Sequence, residues 1–209
     1  MRIRITFSKK GSLRYTGHLD LHTLLERAAR RAALPLAYSQ GFHPTPKIQL
    51  ASALPLGFSS RAEMMDIWLI ADCDIPKLRV DLQTALPRDI QILDIQKVDD
   101  HAPALQTQLI AAEYEAVLPN EASPELSTRL SALLNVGSLP RERRGKSYDL
   151  RPLIESLAIL PADDSGNTRI HMRLTARAGA TGRPEEVLSA LDIPPESAHV
   201  ERIRLIFQG

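Results

Sequence analysis

The stretch "RIRITF" (Arg2–Phe7) decides how the first half of the chain is interpreted. Apolar and polar side chains alternate along it without a break. The two sets are Ile3, Ile5 and Phe7 against Arg2, Arg4 and Thr6. Strict alternation is typical of a β-strand with one face in the core and the other face outside. We therefore expect a half-buried first strand with both arginines on its outer face.

The strand is followed by the turn "KKGS" and then by a helical pattern. Leucines and alanines recur at helical spacing from about Gly17 to Ala33. Thr16 is predicted to cap this helix, Asp20 lies in its first turn, and Pro35 stops it. The arginines of the helix lie off its apolar stripe, which indicates an exposed basic flank.

The remaining patterns predict the same order of elements twice. A strand from about Lys47, a strand Glu63–Ala71, a helix Pro76–Leu86 and the strand "DIQILDIQKV" complete a β-α-β-β-α-β order, which is that of the ferredoxin-like unit. The second set is the strand "LIAAEYEAVL", a helix capped by Ser123 with Pro124 in first position, the extended "SYDLRPLIESLAIL", the strand "TRIHMRLTA", a helix from Arg183 to about Leu191 and the strand "HVERIRLIF". The sequence therefore predicts an α+β fold of two tandem ferredoxin-like βαββαβ units with antiparallel sheets. We place them at residues 1–98 and 109–209, with a linker at 99–108.

Composition excludes several classes of protein. Cys73 is the one cysteine of 209 residues, so an internal disulfide and a cysteine-based zinc or iron–sulfur site are excluded. The N-terminus has no signal-peptide pattern, and no apolar run reaches the roughly 20 residues that span a bilayer. We expect a cytoplasmic protein with no membrane partner.

Charge is distributed unevenly along the chain. The net charge is +1, yet residues 1–50 hold nine Lys or Arg against two acids, a local balance of +7. This asymmetry indicates either an anionic partner for the first half or an uneven but solvated surface.

The acid-free loop "LAYSQGFHPTPKIQLASALPLGF" (Leu36–Phe58) is the first candidate binding segment. Aromatic faces beside cations are how proteins hold single-stranded RNA. The candidate RNA contacts in the loop are Tyr38, Gln40, Phe42, His43 and Lys47. The alternative is that its aromatic residues are core anchors that pin the loop.

Basic side chains elsewhere are candidates for phosphate binding. They are Lys9, Lys10, Arg14, Arg27, Arg30 and Arg31 in the first half, and Arg143, Arg144 and Lys146 in the turn "RERRGKS". The alternatives are a solvated helix face for the first set and a disordered loop for the second. A third basic group, on the strands that carry Arg169, His171, Arg173, Arg202 and Arg204, is predicted to face outward and pair with Glu113 and Glu115.

Signals for catalysis and metal binding are weak. His18 and His22 share a helix face, but no HExxH motif is present, and we predict no metal site. No P-loop, GxGxxG or GxSxG motif occurs. Cys73 lies between Asp72 and Asp74, whose charge disfavours a reactive thiolate.

Five segments resemble the motifs of the radical SAM-linked bacterial proteins of unknown function. They are Gly11–Tyr15, His18–Asp20, Arg27–Arg31, Ser39–Lys47 and Ala53–Gly57, and a looser match continues through "RERRGK" and "DLRPLI". The resemblance implies an accessory protein that works with a radical SAM partner. The chain lacks CxxxCxxC, so S-adenosylmethionine and an iron–sulfur cluster are expected only on that partner, and no cofactor is expected in this chain.

These observations lead to three hypotheses. The first is an accessory module that binds or presents RNA, of the ribosomal or transfer RNA class, to a radical SAM partner for modification or processing. The second is a metal-independent endoribonuclease, similar in architecture to the CRISPR repeat-processing enzymes, with His43 or His18 as general acid or base and Lys47 beside the scissile phosphate. The third is a protein–protein adaptor that binds no RNA.

Overall fold

The computed structural model describes residues 1–119, 124–143 and 145–208. Contacts within the chain group it into two compact units, Met1–Gln108 and Leu109–Gly209. The α+β class and a mostly antiparallel pairing of the strands are confirmed. In the part of the chain described, no helix is long and apolar enough to cross a membrane.

The first unit is a four-stranded antiparallel sheet with helices packed on it. Its elements are β1 (Arg2–Lys9), α1 (His18–Arg31), β2 (Ile48–Leu50), β3 (Ser59–Trp68), α2 (Ile75–Ala85), β4 (Ile90–Val98) and α3 (Leu105–Gln108), with a 3₁₀ helix at Gly11–Tyr15. The strands lie in the order β4-β1-β3-β2. Ile3, Ile5 and Phe7 of β1 are fully buried in the core beneath α1 and α2, as the alternation predicts.

The face of β1 that carries the arginines is also shielded from solvent. Arg2 is 1% exposed, and its Nε and Nη2 donate to Oδ2 of the buried Asp66 at 3.0 and 2.6 Å. Arg4 donates from Nε to Oδ1 of the same carboxylate at 2.9 Å. Both arginines lie on the face opposite Ile3, Ile5 and Phe7, as the alternation predicts, and they can be shielded from solvent because one carboxylate on β3 neutralises both.

The segment 99–108, predicted as a linker, packs against the first unit. Arg2 Nη1 and Nη2 donate to the carbonyl oxygens of Ala102 and Pro103 at 2.6 and 3.0 Å. Leu105 of α3 is fully buried, and its N–H donates to Gln49 Oε1 at 3.1 Å.

The start of α1 also corrects a prediction. Gly17, with φ −67° and ψ 164°, is the N-cap, and no side chain caps the helix. Thr16 instead ends the preceding 3₁₀ helix, since its N–H donates to the carbonyl of Leu13 at 2.9 Å. Because the helix begins at His18, Thr16 stands one position before the N-cap.

The second unit repeats the strand order of the first. Its elements are β5 (Leu109–Leu118), α4 (Pro124–Asn135), β6 (Pro140–Arg143), β7 (Lys146–Asp149), β8 (Ile154–Leu160), β9 (Thr168–Arg177), β10 (Ala180–Thr181), α5 (Pro184–Ala190) and β11 (His199–Phe207). The main strands lie in the order β11-β5-β9-β8, and β10 pairs with the end of β9. The predicted cap Ser123 lies outside the described residues.

Cross-strand ion pairs on this sheet confirm part of the prediction for its basic group. Arg169 donates from Nε and Nη2 to the carboxylate of Glu115 at 2.8 and 3.0 Å. Arg173 lies 4.0 Å from Glu113. Arg202 is fully buried rather than outward-facing, because the register of β11 shifts between Arg202 and Arg204 and a bulge changes which face a side chain occupies.

Candidate nucleic-acid interface

The Ser-Gln-Gly-Phe loop, residues 37–47, is a backbone-paired projection rather than a loose connection. Ser39 N–H donates to the carbonyl of Thr45, and Lys47 N–H donates to that of Ala37, both at 2.8 Å. The stem is joined to β3 by Ala37 N–H to the carbonyl of Trp68 at 2.8 Å and by Trp68 N–H to that of Lys47 at 3.1 Å. These bonds fix where the tip of the loop stands.

The tip carries an aromatic side chain in water. Phe42 is 101% exposed, so the alternative of a core anchor is excluded for this residue. Gln40 and His43 beside it are also exposed. Gly41 has φ +128°, a conformation that other residues rarely adopt, and this turn orients the tip.

The base of the loop places an arginine on a tyrosine. The guanidinium carbon of Arg30, on α1, lies 5.8 Å from the ring centroid of Tyr38, which is 41% exposed. Arg30 is held by an ion pair of 2.7 Å with Glu26. Tyr38 and Pro46 pair directly across the stem in a β-bridge, so their side chains lie on the same side of the stem. Because side chains alternate along an extended chain, the exposed Lys47 lies on the other side of the stem. The cation beside Tyr38 is therefore Arg30 and not Lys47.

The predicted basic flank of the first half divides into separate places. Lys9 is 1% exposed, with Nζ 3.4 Å from the carbonyl of Thr16, so it lies inside the unit. Lys10 is exposed. Arg27 and Arg31 line a groove between α1 and the end of α2, away from Arg30.

Two of the sequence motifs meet at the 3₁₀ helix Gly11–Tyr15. The Gly57 N–H donates to the carbonyl of Arg14 at 2.9 Å, which joins this helix to the Ala53–Gly57 segment. Arg14 donates from Nη2 to Tyr15 Oη at 2.6 Å, and Tyr15 is 62% exposed.

Asp89 holds this helix in place and was not predicted to do so. Its Oδ2 accepts from the N–H and Oγ of Ser12 at 3.0 and 3.1 Å. The two residues lie far apart in the sequence, and no local pattern links them.

The described residues of the turn "RERRGKS" belong to a two-stranded ribbon of β6 and β7. They are ordered strands rather than the disordered loop of the alternative. Arg143 lies directly opposite Lys146, and Arg141 opposite Tyr148. Alternation places these four side chains on one face of the ribbon. Burial raises the pKa of the Tyr148 hydroxyl, and the charge of Glu186 raises it further. The candidate Arg144 lies outside the described residues.

Asp149 anchors the base of this ribbon. Its Oδ1 accepts from the N–H groups of Leu139 and Arg151 at 2.7 and 2.9 Å. These bonds hold the pKa of the carboxyl below its ordinary value of 3.8.

We expect Asp149→Asn to be less stable than the parent protein at pH 7. Because the folded-state pKa is depressed, the stabilisation is present above pH 3.8 and is lost as the pH falls through the folded-state value. The difference in melting temperature between the two proteins should therefore shrink as the pH is lowered from 7 to about 3. A difference that stays constant over this range would contradict the assignment.

The histidines do not converge on one site. His18 opens α1, His22 Nε2 lies 3.2 Å from the carbonyl oxygen of Ile48, and His43 stands at the loop tip. In the described ranges, no group of three or more His, Cys, Asp or Glu residues is arranged to hold a metal ion.

The fold and the candidate interface together define an α+β protein of two antiparallel units, one of which projects an aromatic loop. The chain belongs to the bacterial family described as "Uncharacterized protein conserved in bacteria (DUF2344)", which matches residues 2–184. No curated protein matches the chain. The proteins that the motifs resemble and this family are both bacterial and of unknown function. The family description names no radical SAM enzyme.

Proposed function

We propose that this protein binds single-stranded RNA through the Ser-Gln-Gly-Phe loop. The observation that carries the proposal is the complete exposure of Phe42 on a stem held by backbone hydrogen bonds. A fixed aromatic ring in water is ready to stack on a base without the entropic cost of ordering a loop.

Charge around the loop supports an RNA ligand over an apolar one. No acid occurs from Leu36 to Phe58, and Lys47 makes no side-chain hydrogen bond or ion pair with the residues that the structure describes. Arg30 on Tyr38 adds a second flat, cationic surface. Base stacking and phosphate attraction are both available within this short segment.

The strand order supports the finer fold assignment that we infer. Across the sheet of each unit, the four main strands lie in the order fourth, first, third, second, counted along the chain. Neighbouring strands in this order are antiparallel. This is the arrangement that the split βαββαβ pattern produces, and we propose that both units are ferredoxin-like.

A radical SAM partner remains part of the proposal on the strength of the motif resemblance alone. The RNA would be of the ribosomal or transfer RNA class, and the partner would supply S-adenosylmethionine and the iron–sulfur cluster. Co-purification of the tagged protein from its bacterial host, with a radical SAM protein among the recovered chains, tests this part separately.

The endoribonuclease alternative finds less support where His43 is the general base. A general base needs a neighbouring group that orients its ring. His43 makes no side-chain hydrogen bond to any described residue, and neither does Lys47. Intact RNA after prolonged incubation with the protein in EDTA would exclude this alternative.

We expect Phe42→Ala to weaken RNA binding by about 5- to 150-fold, because stacking contributes about 1–3 kcal/mol per base. The measurement is fluorescence anisotropy of a labelled single-stranded RNA, at salt concentrations from about 50 to 200 mM. Lys47→Ala should lower the slope of log affinity against log salt by about one unit if the lysine contacts a phosphate.

Two matched variants separate this site from general surface effects. Val80→Ala removes an apolar side chain that is 64% exposed on α2, and Arg177→Ala removes an exposed charge at the end of β9. Both should bind RNA as the parent does. The RNA proposal would be refuted if Phe42→Ala bound RNA with the affinity of the parent, or if the parent did not bind RNA at low salt. Retained association with a protein partner would then favour the adaptor hypothesis.

A further inference from the structure

A groove between α1 and the end of α2 forms a recess in the first unit. Its volume is about 380 Å³. Leu24 and Ala28 of α1, together with Ala85 and Pro87, supply its apolar lining. Arg27 and Arg31 supply its cationic lining.

The groove is separate from the Ser-Gln-Gly-Phe loop. Arg30 is turned to Tyr38 and is neutralised by Glu26 at 2.7 Å. Arg27 and Arg31, four residues apart on α1, both line the groove, whereas Arg30 is not among its lining residues. The helix therefore presents one arginine to the loop and two to the groove.

The two groove arginines lack a compensating acid. Among the described residues, no carboxylate oxygen lies within 4.0 Å of either guanidinium. The repulsion between two like charges four residues apart is therefore not offset by an ion pair. Asp20 also lines the groove, but its carboxylate folds back to the start of the helix, 3.3 Å from where a Cβ atom of Gly17 would stand. The arginine end of the groove is therefore a concentrated, unbalanced positive charge.

Arg31 is held ready to bind, and Arg27 has all its donors available. Arg31 Nη1 donates to the carbonyl oxygen of Ala85 at 3.3 Å, which fixes the guanidinium and leaves its other N–H groups uncommitted within the described structure. Two guanidinium forks in one recess match the several oxygens of a phosphate group. A terminal phosphate carries more charge than a phosphodiester and offers three oxygens to the two forks.

We propose that this groove binds a phosphate monoester attached to a nucleoside. The phosphate would lie between Arg27 and Arg31, and the sugar would lie against Leu24, Ala28 and Pro87. The source is either the 5′ end of an RNA or a free nucleotide. In the first case the inference rests on the proposed RNA-binding function and extends it to recognition of the RNA end.

Calorimetric titration of the full chain with adenosine 5′-monophosphate tests the groove without RNA. We expect saturable binding, no binding of adenosine, and a loss of about tenfold or more in affinity for Arg27→Ala and for Arg31→Ala, since each removes charge-assisted hydrogen bonds. Arg88→Ala removes a neighbouring positive charge that does not line the groove and should bind as the parent does. Arg27→Ala keeps the test valid if Arg31→Ala fails to fold, because Arg27 makes no hydrogen bond to the described residues.

A second titration identifies the source of the phosphate. The probes are one oligoribonucleotide with a 5′-phosphate and the same oligoribonucleotide with a 5′-hydroxyl. A preference for the phosphorylated probe that disappears in Arg27→Ala supports the RNA end, and monophosphate binding without that preference supports a free nucleotide. Absence of both, or binding that is equal in both groove variants and the parent, overturns the proposal. Phe42→Ala should retain monophosphate binding, so failure of the loop and failure of the groove are distinguishable.

Discussion

Asp66→Ala is expected to destabilise the protein by about 3–5 kcal/mol, the effect typical of removing one partner from a buried ion pair. Asp66 is completely buried, and its carboxylate is shared by Arg2 and Arg4, which are 1% and 13% exposed. Without it, two guanidiniums would remain in a low-dielectric interior with no opposite charge from this residue. Arg2 would keep its bonds to the carbonyls of Ala102 and Pro103, which satisfy donors but do not neutralise charge.

Urea unfolding followed by circular dichroism measures this effect. Asp81→Ala is the matched control, because it removes the same side chain from the exposed pair of Asp81 with Lys77. Exposed pairs of this kind contribute about 0.2–1 kcal/mol. A loss for Asp66→Ala no larger than that for Asp81→Ala would show that the buried cluster does not stabilise the fold.

Gly11→Ala is expected to cost about 2–4 kcal/mol, from a strained backbone and from lost hydrogen bonds. Gly11 has φ +55°, and a Cβ atom there would lie 2.5–2.7 Å from the carboxylate of Asp89. Asp89 is not free to move aside without breaking its two bonds to Ser12. The substitution therefore detaches the 3₁₀ helix Gly11–Tyr15 from its anchor.

Gly166→Ala separates the two causes. Gly166 has φ +78°, but a Cβ atom added there would meet no obstructing atom within 4 Å. It should therefore show the backbone cost alone, about 1–2 kcal/mol. Equal losses for the two glycine variants, measured by urea unfolding, would mean that the contact with Asp89 has no energetic role.

Local patterns predicted the elements well because each depends on neighbours in the sequence. The alternation of Ile3, Ile5 and Phe7 specified β1, and the leucine spacing specified α1. The surroundings of charged side chains were not predictable in the same way. Arg2 looks like a surface residue until Asp66, which is distant in the sequence, is placed across from it.

At the candidate interface, too, the sequence predicted the residues involved but not their surroundings. The composition of the loop marked it as unusual, and its aromatic and basic residues could be named. Whether Tyr38 and Phe42 are buried anchors or exposed contacts could not be decided from the sequence. Only the fold shows that Phe42 is fully exposed and Tyr38 partly exposed. Helical spacing placed Arg27, Arg30 and Arg31 on one flank, whereas packing against α2 and the loop separated them.

Trp68 gives the protein an intrinsic optical reporter at the base of the loop. It is the one tryptophan of the chain, and its own N–H and carbonyl hold the stem at Lys47 and Ala37. The guanidinium of Arg2 lies 4.7 Å from its ring centroid, which gives the indole a defined environment. Ligand-induced movement of the stem would alter that environment, so indole emission can follow binding in unlabelled protein.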